Sequence, residues 1–191
     1  MTNHMRKLKL QVQLSVDGFV GGPQGEMDWL EWNWDENIKQ YVLDLTRPVD
    51  TIVLGRKLAE GFIPAWQSRL SDPHTADDFA RKMVETPKVI FTRTLDQSVW
   101  ENAVLAKGDL ITEITRLKHQ KGGDIIAYGG ATFVSSLLRA GLIDEYFLFV
   151  NPVAIGKGLS IFHELDRKLN FRLIEAQPFD CGIVVLHYVV R

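Results

Sequence analysis

Gly129 and Gly130 lie between two segments of different periodicity, where a glycine pair can bring the backbone close to a ligand. Ile125, Ile126 and Ala127 form a short apolar run that stops at the pair. Beyond it, Phe133, Val134, Leu137, Leu138 and Leu142 recur at helical spacing, so Ala131 and Thr132 open a helix. The first N–H groups of a helix are unpaired and lie at the positive end of its dipole, which suits a phosphate. A tight turn with no ligand accounts for the same residues, and this segment leaves both readings open. Gly55-Arg56-Lys57 and Thr92-Arg93-Thr94 follow two further apolar runs, the first of them running into another helix. Ligands of open parallel sheets bind outside the carboxyl ends of the strands, so all three turns can line one crevice. Together their donors and cations point to a ligand with several phosphates.

Other chemistries find less support. No GxGxxG follows the first strand and no P-loop is present. His4, His74, His119, His163 and His187 are scattered, with no pair at metal-ligand spacing. Cys181 falls in the last hairpin, where a lone cysteine reads as apolar filler, and no serine occupies a nucleophile elbow. Trp29, Trp32 and Trp34 could wall a heterocycle, although packing suits them better. Asp35 and Glu36 could give a proton to a substrate ring, but acids in a helix's first turn are also expected as caps.

These residues need a frame. Leu8, Leu10, Val12, Leu14 and Val16 alternate with Lys9, Gln11, Gln13 and Ser15, which predicts a strand ended by Asp17-Gly18. Helices are predicted from Asp35 to Leu45, over 76–85, and over 109–119 with Leu110, Ile111, Ile114 and Leu117 inward. Buried strands are predicted at 51–54, 88–91 and 144–153, and two final runs, 171–176 and 182–190, form an antiparallel hairpin. The pattern leaves Gly61 to Thr75 undetermined. Strands alternating with helices predict an α/β fold: a mostly parallel sheet covered on both faces, with the hairpin at an edge.

The 191 residues, 46% hydrophobic, suit one domain over 7–191 after a flexible tail at 1–6. A net charge of -2 gives no electrostatic case for nucleic acid or an anionic membrane. No apolar run reaches the length of a membrane span, and the start lacks a signal-peptide core. With a single cysteine, a cytoplasmic setting is expected.

SVDGFVGG at 15–22, LGRKLAEGF at 54–62 and VIFTRTL at 89–95 resemble successive signatures of the dihydrofolate-reductase-like fold. The block YGGATFVSSLLRAGLIDEYFLFVNPVAIGKG at 128–158 is most similar to the reductase domain of the bifunctional riboflavin-biosynthesis deaminase–reductase and its free-standing relatives. The resemblance implies a reductase taking hydride from NADPH, with Arg56, Lys57, Thr92 and Arg93 at the adenosine 2′-phosphate. It also implies a pyrophosphate turn at Gly129, Gly130, Ala131 and Thr132, beside Gly55. Gln13, Ser15 and Asp17 fall where nicotinamide and substrate meet, leaving Asp17 and Glu36 as candidate catalytic acids. True dihydrofolate reductases carry an inward carboxylate on the first helix; an ungapped match from Trp32 puts Asn37 there, with Glu36 beside it. Folate is therefore not the expected substrate, and a ribosylaminopyrimidine phosphate is the nearest guess.

Two alternatives stay open: a cofactor-binding relative with little catalysis, and a true dihydrofolate reductase. The final hairpin is apolar on both faces, and with the resemblance this predicts a homodimer.

Overall fold

The computed structural model describes residues 5–191. Eight strands form one sheet: β1 (Leu8–Leu14), β2 (Val49–Gly55), β3 (Lys88–Phe91), β4 (Ala103–Ala106), β5 (Asp124–Tyr128), β6 (Glu145–Val150), β7 (Phe171–Pro178) and β8 (Val184–Val190). Their order is β4-β3-β2-β5-β1-β6-β8-β7. The first six in that order pair in parallel, whereas β8 pairs antiparallel with β6 and with β7. The hairpin thus forms one edge, as its sequence implies.

Five helices are α1 (Glu36–Thr46), α2 (Arg56–Ser71), α3 (Asp78–Glu85), α4 (Leu110–His119) and α5 (Ala131–Arg139). The undetermined stretch at 61–75 is largely α2, which continues through Pro64. β4 is a short edge strand that the sequence reading did not contain. Ile111, expected inward, is exposed, while Ile114 and Leu117 fill the inward stripe of α4. Val16 is likewise exposed, because β1 stops at Leu14.

β1 lies between β5 and β6, so both of its edges are paired, and its near-continuous burial shows that both faces are covered as well. Leu8, Leu10, Val12 and Leu14 enter an apolar cluster with Val134, Leu137 and Leu138 of α5. On the opposite face, one cluster gathers Ile52, Leu54, Ile63, Met83 and Ile126; another gathers Ile38, Val42, Phe147 and Phe149. Lys9, Gln11 and Gln13 belong to neither cluster.

Of the expected tail, 1–4 lies outside the described residues. Arg6 does not behave as tail: it is buried, donates to the Gly123 carbonyl at 2.6 Å and to Thr51 Oγ1 at 2.7 Å, and pairs with Asp50. A buried guanidinium must be matched by acceptors, and these anchor the chain just before β1.

Candidate active site

The strand order places β3, β2, β5 and β1 side by side, so their carboxyl ends form one continuous edge. A cavity of about 1510 Å³ opens there and extends along the polar face of β1. Single small-molecule pockets run to about 300–1,000 Å³, so this volume suits two ligands. Gly55, Arg56 and Lys57, Thr92 and Arg93, and Gly129 to Thr132 all line it. The three turns expected to share a crevice do share one.

The helix starts that contribute to this cavity are of two kinds. α1, α3 and α4 begin with Asp35, Asp77 and Asp109, whose side chains accept from the backbone N–H groups of Ile38, Ala80 and Thr112. α2 and α5 begin with Gly55 and Gly130 and have no side-chain cap. Gly130 adopts φ +123, a conformation L side chains rarely take. Gly55 has an ordinary φ of -75 and is required for a different reason: an added Cβ would sit 2.9 Å from Phe133 Cβ. Phe133 in turn packs against Phe91, with ring centroids 5.2 Å apart.

The expected phosphate ligands differ in availability. Arg56 pairs with Glu60 one turn along α2. Lys57 and Arg93 are exposed and have no carboxylate partner among the described residues. Thr92 is buried, and its hydroxyl accepts from the N–H groups of Thr94 and Leu95 at 3.1 and 3.2 Å, so it shapes the turn.

The β1 residues divide. Gln13 lines the cavity, and its Oε1 accepts from Asn151 Nδ2 at 2.9 Å. Ser15 and Asp17 are not among the lining residues. Instead Ser15 Oγ donates to Asp17 Oδ1 at 2.6 Å, and Asp17 also accepts from the N–H groups of Ile155 and Gly156 at 3.1 and 2.7 Å. The Ser15 hydroxyl and these amides hold the Asp17 carboxyl below its ordinary pKa. Asp17 is a clasp between two loops, and the structure places neither it nor Ser15 in the cavity lining. The same loops are joined where Val20 N–H donates to Leu159 O at 2.9 Å and Leu159 N–H donates to Gly21 O at 2.8 Å.

Glu36 reaches the cavity lining with its side chain 88% exposed and paired to Lys39 at 2.7 Å. Asn37 faces elsewhere, beside Tyr41 and Pro178. The inward face of α1 is Ile38 and Val42, so this helix presents no carboxylate to the sheet. Asp35 caps α1, accepting from Ile38 N–H at 2.9 Å, which is also the main cause of its lowered pKa.

Two site residues carry no motif signal. Gln11 lines the cavity and is buried, with no hydrogen-bond partner for Oε1. Asn151 is fully buried; beyond Gln13 it accepts at Oδ1 from Glu31 N–H at 3.0 Å, tying the tryptophan-bearing loop to β1.

Comparison with known proteins agrees with this architecture. The chain is 30% identical to the uncharacterized protein YyaP of Bacillus subtilis (strain 168), covering 98% of each chain. It is similar to the crystal structure of a putative riboflavin biosynthesis protein from Shewanella sp. PV-4, at TM-score 0.73 and 22% identity over 98% of this chain and 99% of that one. It is also similar to the dihydrofolate reductase of Enterococcus faecalis complexed with NADP(H), at TM-score 0.63 and 16% identity over 97% and 96%. At these identities the structural likeness establishes a dihydrofolate-reductase-like fold. The family model described as RibD C-terminal domain matches residues 6–185, and the chain belongs to that family.

Proposed function

We propose that the chain is an NADPH-dependent reductase acting on a small heterocyclic or carbonyl compound. The observation that carries this reading is the contrast in helix starts. Aspartates cap α1, α3 and α4, while α2 and α5 start uncapped at the cavity, at the ends of the neighbouring strands β2 and β5. Two such N-termini offer free N–H groups and positive dipole ends to a pyrophosphate. Lys57 and Arg93, without a carboxylate partner among the described residues and at the adjoining ends of β2 and β3, suit the additional 2′-phosphate that separates NADPH from NADH.

When bound, the cofactor would supply the hydride. The chain's own contribution is position: Gln13 is held by Asn151, and Asn151 by the ends of β1 and β6. Glu36 is exposed and bound to Lys39, so a proton it delivers passes through water. Calorimetric titration with NADPH and NADH tests the assignment; equal dissociation constants would sink it.

The absence of a carboxylate on the inward face of α1 supports a second reading, a cofactor-binding relative with little catalysis. Nucleotide-dependent turnover across a panel of heterocycles separates the two.

A further inference from the structure

The two ends of the cavity differ in charge, and, granted the reductase reading, that difference bears on the second ligand. The unbridged cations Lys57 and Arg93 stand at the ends of β2 and β3. Between α1 and the α2–α3 pair, the charged lining residues are Glu36, Lys39, Arg69, Asp77 and Asp78. Both cations there are engaged: Lys39 with Glu36 at 2.7 Å, and Arg69 with Asp77 at 2.5 Å while lying over the Trp66 ring. Two cations face three carboxylates. A phosphate or carboxylate entering this end would meet surplus negative charge and would have to break an ion pair to be bound.

The walls suit a ring. Trp32 stacks on Trp34 with centroids 6.0 Å apart, and Trp34 stacks on Phe149 at 6.3 Å. Trp32 is 62% exposed and lines the cavity, so the stack ends with an indole open to a further flat partner.

The floor supplies polar groups without partners. Gln11 and Tyr128 are register partners across β1 and β5, so both side chains leave the same sheet face. Both line the cavity, at 5% and 9% exposure, and neither Gln11 Oε1 nor the Tyr128 hydroxyl has a hydrogen-bond partner among the described residues. Buried polar groups are almost always satisfied, so a lining pair left without partners marks where a ligand's polar edge belongs. Burial pushes the Tyr128 pKa up, so it meets that ligand as a neutral phenol.

We infer that the second ligand is an uncharged flat ring compound with a hydrogen-bonding edge, free of phosphate and carboxylate, and that Gln11 determines specificity at the cavity floor. This departs from the phosphorylated pyrimidine that the resemblance suggested.

The test is calorimetry on the NADPH-saturated protein with neutral one- and two-ring lactams, each paired with its own phosphate ester. At least one neutral ring should bind, with its ester weaker by about tenfold or more. A tighter ester, or no binding by any neutral ring, overturns the inference. Gln11→Met, close in volume, should weaken ring binding about tenfold while leaving NADPH affinity in place, which also reports folding. If that variant fails to fold, Trp32→Ala at an exposed position serves instead; unchanged ring affinity in the folded variant removes the corresponding contact. Ring binding without NADPH binding would sink the cofactor assignment while supporting this one.

Discussion

Gly55 and Phe133 meet so closely that the smallest added side chain would place its Cβ 2.9 Å from the phenylalanine's own. The contact joins the start of α2 to the start of α5, the two uncapped helices of the cavity. Gly55→Ala must push these starts apart. The expected cost is that of overpacking, about 1–3 kcal/mol. NADPH affinity should fall further than Tm alone accounts for. Thermal denaturation with and without NADPH checks this.

Gly130→Asp is a poor probe of the phosphate site, because φ +123 strains any side chain there whether or not a ligand binds. Thr132→Asp separates the effects. Thr132 is exposed in the first turn of α5, where a carboxylate favours the helix dipole by roughly 0.3–1 kcal/mol. The variant should keep or raise Tm and bind NADPH at least about tenfold more weakly, since its charge stands where phosphate belongs. Parental affinity would remove the phosphate cradle.

Lys57→Ala and Arg93→Ala should each erode the preference for NADPH over NADH, by about 1.5–3 kcal/mol for a charge-assisted contact. Arg56→Ala should do less, because Arg56 is already paired with Glu60. Dissociation constants for both cofactors across the three variants rank these roles.

Lys88 opens β3 buried, its Nζ donating to the carbonyls of Val84 and Thr86 at 2.8 and 2.6 Å. Desolvation lowers its pKa to about 8 from the model-compound value of 10.5. The unfolded chain therefore binds more protons between those values, so the penalty is complete below about pH 8 and fades as pH rises toward 10.5. Wild type should gain stability relative to Lys88→Met across that window, on the order of 2–3 kcal/mol. Denaturant titrations at its two ends measure the difference.

The edge hairpin exposes Leu173, Ile174 and Val190. On the homodimer reading, sedimentation at micromolar concentration should give one species of twice 21.7 kDa. A monomer would refute it.

Much of the frame was legible in the residues. The bounds of β3 and the start of α5 follow from clean runs flanked by breakers, and Asp35 was readable as a cap. The start of α2 after Gly55 was readable too, but its run beyond Gly61 was not, because Gly61 and Pro64 both argue against a helix that tertiary packing nevertheless sustains. β4, four residues at an edge, is too short to show a period. The cavity lining was legible wherever glycine or a cation followed a strand. Gln11 escaped because alternation reads as one wet face, whereas β1 is central and buries both. Ser15 and Asp17 fall outside the cavity lining because a chemically suitable pair can equally spend its hydrogen bonds on a turn.

The central position of β1 also has a consequence for biosynthesis. This strand is made well before its neighbours, β5 and β6, which begin at Asp124 and Glu145. At about 5–20 residues per second, β1 waits on the order of ten seconds for its first partner to be synthesised. Until then its apolar side chains and both of its hydrogen-bonding edges are unpaired, and β2 and β3 have each other but no centre to join. The nascent chain should therefore be most dependent on chaperone protection before Tyr128 emerges, and should gain its protease resistance late and in one step.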